Sequence, residues 1–217
     1  MTSYADLARE IDRGARPELL RDWVLDVLGD IADGRRPLRA VRHPLGFTCL
    51  PVERDGADGI CVHAWPGEPP PVRPSTSAMH SHSWDLLSHV LHGTVRNELI
   101  DVTDTSDDPS WRVYQVHSLG EVDEVAATDR LVTAVTATVE THSAGDSYAL
   151  RAGGFHTSEV TTGGPAVTVA LGRTTPGACD LSLGAVDGRS HRVRRDRCDA
   201  AETARMARQI ARLVARG

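Results

Sequence analysis

Two histidines separated by one residue, His80 and His82, carry the strongest chemical signal in the sequence. Side chains alternate between the two faces of an extended strand, so both imidazoles share a face if residues 78–83 are extended. Two neutral imidazoles on one face can bind the same divalent metal ion through their ring nitrogens. Exposed histidines are common and need no role, so the pair requires a partner elsewhere in the chain.

The partner is His156, at the end of a glycine-rich segment that begins at Gly145. The two segments resemble the two motifs of the cupin family, G(X)5HXH(X)3-4E(X)6G and G(X)5PXG(X)2H(X)3N. The residues that fall at the spacing of these motifs are His80, His82, Gly93, Gly145, Gly153 and His156. The resemblance implies a jelly-roll barrel in which the three histidines bind one metal ion.

The chain departs from the family pattern at the position of the metal-binding carboxylate, which Leu86 occupies. Three-histidine sites without this carboxylate resemble the cysteine-dioxygenase-like branch of cupins, whose members bind Fe(II) and add O2 to small thiols. Without a carboxylate ligand, a divalent ion keeps its full charge and attracts an anionic substrate more strongly. The other departures are Pro74, Arg151 and Val160, which replace the opening glycine, the proline and the asparagine of the two motifs.

The cysteine-dioxygenase-like branch also carries a Ser-x-His-x-Tyr triad and, in some members, a Cys–Tyr crosslink. Neither register of the run from Pro165 to Arg173 supplies the triad, and Leu86 or Leu87 stands where the crosslinked cysteine would fall. The resemblance therefore implies a non-heme Fe(II) oxygenase that acts with O2 on a small, anionic metabolite. That metabolite need not be a thiol.

Three residues beside the motifs are candidates for substrate contacts. Trp84 and Tyr148 flank the histidines and are expected either to wall the pocket or to pack in the core. Arg96 follows the first motif and could clamp a substrate carboxylate through a bidentate contact.

Residues that support the ligands from behind are a second group of candidates. Ligating histidines usually donate their other ring N–H to an acceptor, and Asp146 or Glu159 is expected in that role. His142 precedes Gly145 and either supports the site in the same way or is simply exposed.

Composition narrows the function classes. A net charge of −6 argues against nonspecific nucleic-acid binding, which depends on neutralising phosphates. All 24 basic residues are arginines, which excludes Schiff-base and pyridoxal-phosphate chemistry on a lysine of this chain. The four cysteines form no Cys-x-x-Cys pair. Cys49 and Cys61 could face each other across a hairpin, with buried free thiols as the favoured interpretation.

The expected location is the cytoplasm, with no membrane partner. No apolar run approaches the length of about 20 residues that a membrane span needs. The first residues also lack the basic and then apolar pattern of a secretion signal.

Periodicity positions the motifs on an all-β fold. Helices are predicted at 3–14 and 17–33, and a capping box at Asp199 and Glu202 begins a C-terminal helix. Strands are predicted at 47–52, 59–65, 78–83, 86–92, 94–102, 111–118, 131–142 and 166–171. These elements predict a sandwich or barrel with flanking N- and C-terminal helices, and the resemblance implies that it is a cupin double-stranded β-helix, a jelly-roll barrel. The expected divisions are a helical extension (1–40), the barrel (41–190) and a C-terminal segment with a docked helix (191–217).

Two alternatives to the iron oxygenase stay open. Three histidines and a water also form a catalytic zinc site, which would support hydrolase or lyase chemistry. A cupin can also bind a small ligand or a metal without catalysis. The oligomeric state is open as well, with a homodimer among the alternatives.

Overall fold

The computed structural model describes residues 3–14, 17–67, 74–160 and 164–216. Three helices and fourteen strands lie in these ranges. The helices are α1 (Tyr4–Arg13), α2 (Pro17–Ala32) and α3 (Ala200–Val214). The strands are β1 (Val41–Arg42), β2 (Thr48–Asp55), β3 (Asp58–Trp65), β4 (His80–Ser81), β5 (Trp84–His92), β6 (Thr94–Asp104), β7 (Trp111–Leu119), β8 (Val122–Ser143), β9 (Ser147–Leu150), β10 (Phe155–Glu159), β11 (Ala166–Thr174), β12 (Asp180–Gly184), β13 (His191–Arg194) and β14 (Asp196–Arg197).

The strands form two antiparallel sheets of seven strands each. The first sheet has the order β14-β1-β2-β3-β11-β5-β9, and the second has the order β13-β8-β6-β10-β4-β12-β7. From β5 onward the chain passes repeatedly from the first sheet to the second, at β5 to β6, β9 to β10 and β11 to β12. This winding is that of a jelly roll. The predicted fold, an all-β double-stranded β-helix with helices near both ends, is confirmed.

Two strands near the site differ in length from their predictions. Strand β4 is only two residues long, whereas the sequence predicts a strand over 78–83. Strand β8 runs for 22 residues, whereas the sequence predicts 131–142. The first half of β8 pairs with β7 and the second half with β6. The polar residues at its start are extended because β7 and β13 hold them from both sides, which no local pattern reveals.

The helices cover the outer face of the first sheet. Apolar side chains of all three helices share one buried cluster with outward-facing residues of β2, β3, β5 and β11. Capping boxes begin two of the helices, with Ser3 and Asp6 at α1 and with Asp199 and Glu202 at α3, and the second of these is the one predicted from the sequence. Within the described ranges, no helix has the length and apolar character needed to cross a membrane.

The closing glycine of the first motif, Gly93, joins β5 to β6 where the chain passes between the sheets. Its φ is 76°, in the left-handed region that favours glycine. A Cβ atom there would lie 2.3 Å from the carbonyl oxygen of Pro165, so no other residue fits without moving the backbone. The motif glycine is therefore explained by the fold rather than by chemistry.

The predicted division of the chain at residues 40 and 190 stays a prediction. Strand β1 begins at Val41 and pairs with β14, which follows residue 190 in the chain. Strand β13 likewise pairs with β8. The strands between residues 191 and 197 are thus hydrogen-bonded into both sheets.

The helical layer should stabilise the first sheet strongly. Leu28 of α2 is 0% exposed, and we expect Leu28→Ala to lower the free energy of unfolding by about 2–5 kcal/mol because it leaves a cavity. Leu19→Ala is the control on the same helix, because Leu19 is 41% exposed, and its effect should stay within about 0.5 kcal/mol. Urea unfolding measures both values. Equal effects would contradict the packing described here.

Candidate metal centre

The fold brings the three motif histidines together. His80 on β4 and His156 on β10 are direct partners across the antiparallel ladder. His82 follows β4, and its carbonyl oxygen accepts a hydrogen bond from the Gly153 N–H at 2.8 Å, which ties the two motif segments to each other. One ring nitrogen from each histidine lies within 4.8 Å of the others. The spacing of the motifs therefore predicts this cluster correctly.

Backbone carbonyls fix the tautomers of two of these histidines. Nδ1 of His80 lies 2.9 Å from the Ala78 carbonyl oxygen, and Nδ1 of His156 lies 3.0 Å from the Gly154 carbonyl oxygen. A carbonyl can only accept, so each Nδ1 carries the proton and each Nε2 keeps a free lone pair. The prediction that Asp146 or Glu159 serves as the acceptor is wrong for these two rings.

Burial keeps the cluster uncharged. It lowers the pKa of His80 to about 4 and that of His156 to about 3. The pKa of His82 also lies well below its usual range, because of burial and the two neighbouring imidazoles. Neutral imidazoles are the form that binds metal ions, so protons compete little for these nitrogens near neutral pH. The donor set therefore fits a divalent first-row metal ion.

Trp84 supports His82 by stacking. The two ring centroids lie 4.1 Å apart with an interplanar angle of 22°. The indole also packs against Gly172 of β11, where a Cβ atom would lie 2.8 Å from the Trp84 ring. Gly172 thus leaves the space that the indole fills, and the indole limits the rotation of the His82 ring.

The histidines open onto a cavity of about 800 Å³ between the two sheets. Trp84, Leu86 and Tyr148 all line it. Leu86 is 8% exposed and contacts the apolar interior, whereas its neighbour Leu87 packs toward the helices. The carboxylate position of the cupin motif therefore faces the cavity in this chain but carries a leucine.

The four predicted active-site residues divide into two pairs. Trp84 and Tyr148 line the cavity, as expected for pocket walls. Their contact with a substrate stays a prediction. Arg96 and His142 are absent from the described cavity lining. Arg96 is paired with Glu98 and Glu159 at 2.5 Å each, so a substrate clamp would have to break two ion pairs. His142 stacks on Tyr148 at 4.6 Å between ring centroids and contacts no metal-cluster histidine directly.

Sequence reasoning missed several cavity residues on β2, β3 and the turn before them. These residues are His43, Phe47, Cys49, Cys61, His63 and Trp65. Their signal is present in the alternation of β3, where Cys61, His63 and Trp65 line the cavity while Ile60, Val62 and Ala64 face the helices. Because Cys61 and Trp65 are themselves apolar, the alternation is inconspicuous in the sequence.

The cysteines among these residues are free thiols. The pKa of Cys61 is well below its usual range because of hydrogen bonding from Cys49 and contact with His63. The pKa of Cys49 is raised by the same hydrogen bond and by burial. Cys49 and Cys61 are therefore diagonal neighbours across the β2–β3 hairpin, and they are free thiols as expected but only partly buried.

Comparison with known proteins finds only distant structural similarity. No protein-family model matches the chain, and no curated protein matches it. A hydroquinone 1,2-dioxygenase solved with Cd2+ and 4-hydroxybenzonitrile is 17% identical, with a TM-score of 0.33, over 58% of this chain and 63% of that one. A hydroquinone 1,2-dioxygenase from Sphingomonas sp. TTNP3 with 4-hydroxybenzoate bound is 13% identical, with a TM-score of 0.36, over 60% and 72%.

A third solved structure is an uncharacterised protein with a double-stranded β-helix domain from Klebsiella pneumoniae subsp. pneumoniae MGH 78578. It is 13% identical, with a TM-score of 0.30, over 63% of this chain and 84% of that one. The chain spans less than two thirds of the first of these three structures, at 63% of its length. The fold assignment therefore rests on the strand order and pairing of this chain itself.

The cluster should lose its metal when one ligand is removed. We expect His156→Ala to reduce the metal content to a small fraction of the wild-type value, because two imidazoles hold a divalent ion far more weakly than three. Metal analysis after loading with Fe(II) gives the occupancy, and circular dichroism checks the fold. His117→Ala, an exposed position on β7, is the matched control and should keep full occupancy. Full occupancy in the Ala variants of His80, His82 and His156 alike would contradict the site.

Proposed function

We propose that this chain is a non-heme Fe(II) oxygenase that acts with O2 on a small, anionic organic molecule. One observation carries the proposal: three neutral imidazoles with free ring nitrogens converge on the cavity between the sheets, and the expected carboxylate is a leucine. His80, His82 and His156 would hold the iron. Bound Fe(II) would supply the redox chemistry that activates O2.

The charge distribution around the cavity favours an anion. Three neutral ligands leave the charge of a divalent ion uncompensated, and Leu86 adds no negative charge beside it. Six arginines but only three carboxylates line the described part of the cavity: Arg39, Arg42, Arg54, Arg194, Arg195 and Arg197 against Asp123, Asp180 and Asp196. Within the described residues, Arg39, Arg54 and Arg194 have no carboxylate partner, and Arg39 donates instead to the carbonyl oxygens of Arg197 and Cys198. An anionic substrate would therefore be drawn both to the metal and to the wall.

The size and lining of the cavity suit a small molecule with an apolar body. A volume of about 800 Å³ lies within the range of ligand pockets, and Phe47, Trp65, Trp84 and Tyr148 supply aromatic walls. The indole N–H of Trp65 is buried and has no hydrogen-bond partner among the described residues.

The chain's own residues would orient the substrate and exclude water. The Trp84 stack and the Ala78 and Gly154 carbonyls hold the imidazoles in place before any substrate enters. Because the donors are already ordered, little reorganisation accompanies binding. The apolar cluster around Leu86 would limit the access of water to the interior beside the histidines.

The zinc hydrolase or lyase alternative lacks a general base beside the cluster. Each carboxylate in the described cavity lining already accepts a hydrogen bond. Asp123 accepts from Arg195, Asp180 accepts from the Ser83 N–H, and Asp196 accepts from Arg42. A base for a metal-bound water would have to leave one of these contacts.

Oxygen uptake by the reconstituted protein tests the proposal. Metal-free protein is loaded anaerobically with Fe(II) or with Zn2+, and an oxygen electrode follows a panel of small thiol acids, phenolic acids and dihydroxy-aromatic anions. We expect substrate-dependent O2 uptake with Fe(II), none with Zn2+, and none for His156→Ala. Turnover of a panel compound by the zinc form without O2 would support the hydrolase or lyase instead. Tight binding without turnover by either form would identify a ligand-binding protein.

The Leu86 position tests the charge argument directly. In the metal-free protein, Leu86→Glu buries a carboxylate among apolar side chains and should lower the melting temperature, because burial of an unpaired charge is costly. Metal loading should restore most of that stability, since the carboxylate can then pair with the ion. The affinity for an anionic ligand should fall at the same time.

Leu86→Gln is the matched control for this prediction, because it has the same shape without the charge. Its melting temperature should respond to metal about as the wild type does. Thermal unfolding with and without metal, together with metal analysis, measures both variants. An equal loss for Leu86→Glu with and without metal would show that residue 86 lies out of reach of the ion.

A further inference from the structure

A second cluster of metal-ligating side chains lies on the wall of the same cavity, on the β2–β3 hairpin. The Sγ atoms of Cys49 and Cys61 and a ring nitrogen of His63 lie within 4.8 Å of one another. All three residues line the cavity. None of them belongs to the three-histidine cluster, and the proposed oxygenase chemistry makes no use of them.

The strand register explains why these side chains converge. Cys49 on β2 is the direct partner of His63 on β3, and Cys61 lies two residues before His63. Residues two apart on a strand share a face, and diagonal neighbours across a ladder are within reach of each other. The intervening Val62 points to the other face and joins the cluster beneath the helices. The strand register therefore places the three ligands on one face of the hairpin.

We propose that Cys49, Cys61 and His63 form a second metal site, which binds Zn2+ and leaves one coordination position open to the cavity. Two thiolates and an imidazole are soft and borderline ligands, which bind Zn2+ in preference to Mg2+ or Ca2+. Those two hard cations prefer oxygen ligands. Two cysteines and one histidine with a fourth position open is also an established donor set for catalytic zinc. The site would hold its ion whether or not the three-histidine cluster binds iron.

The charges around the cluster fit a thiolate site. Two thiolates balance the charge of Zn2+, so the occupied site adds no net charge to the cavity wall. The Arg54 guanidinium lies over Gly59, where a Cβ atom would be only 2.6 Å from one of its nitrogens. Gly59 shares the face of Cys61, so this cation lies beside the sulfurs and favours their ionised form.

Co2+ can test the site, because it occupies zinc sites and shows intense sulfur-to-cobalt charge-transfer absorption only when thiolates bind it. Reduced, metal-free protein is dialysed anaerobically against Co2+, and bound cobalt and absorption are measured together. We expect two cobalt ions per chain, with the charge-transfer band belonging to one of them. Added Zn2+ should displace the ion that carries the band.

Variants separate the two sites. Cys49→Ser/Cys61→Ser should bind one cobalt ion and lose the band, whereas His156→Ala should bind one and keep the band. Cys179→Ser is the matched control, because Cys179 is an exposed free thiol outside the cavity lining, and it should bind two ions with the band intact. A wild-type protein without the band, or a band that survives in Cys49→Ser/Cys61→Ser, would overturn the proposal. If instead the three-histidine cluster does not bind metal, the wild-type protein would bind one cobalt ion and that ion would carry the band.

A second measurement on the unmodified chain covers the case in which the double variant does not fold. Zn2+ should protect two of the four thiols from alkylation, and a chelator should reverse the protection. Peptide mass spectrometry should assign the protected thiols to Cys49 and Cys61. Equal labelling of these two cysteines with and without Zn2+ would overturn the proposal.

Discussion

The pairing of β10 with β4 and β6 is the constraint on which the candidate centre depends. His156 lies directly across from His80 on one side and from Leu99 on the other. Because side chains alternate along a strand, a slip of one residue would turn His156 away from the cavity. The adjoining Gly153 N–H, bonded to the His82 carbonyl, sets the same register from the turn. Three ligands from distant parts of the chain are thus placed by backbone pairing rather than by side-chain contacts.

The first sheet divides its two faces between stability and chemistry. Its outer face buries Leu50, Val62, Val169 and many other apolar residues beneath the helices. That burial is the dominant favourable contribution to folding. The inner face can therefore carry cysteines, histidines and arginines without being needed for the main core. A strand with one apolar and one reactive face lets a single hairpin, β2–β3, serve both purposes.

Much of this arrangement follows from the sequence, and the remainder depends on tertiary context. The spacing of His80, His82 and His156 predicts both the barrel and the cluster, because the motif places ligands at fixed strand positions. The inward direction of Leu86 also follows from the motif, because Leu86 occupies the position of the metal-binding carboxylate. The length of β8, the ion pairs that occupy Arg96 and the carbonyl acceptors behind the histidines do not follow. The first two are decided by which segment lies alongside, and the acceptors are decided by the backbone path immediately before each histidine.

The carbonyl acceptors of His80 and His156 lie two residues before each histidine, at Ala78 and Gly154. His191, far from the cluster in sequence, makes the same bond to the Arg189 carbonyl at 3.0 Å. The contact is thus a product of local backbone shape, available to any histidine at the start of such a strand. The backbone conformation before each strand therefore sets how strongly these two imidazoles donate electrons, because it places the carbonyl that accepts the Nδ1–H. Substitutions of nearby side chains can leave this property unchanged, provided that the backbone conformation before the two strands is retained.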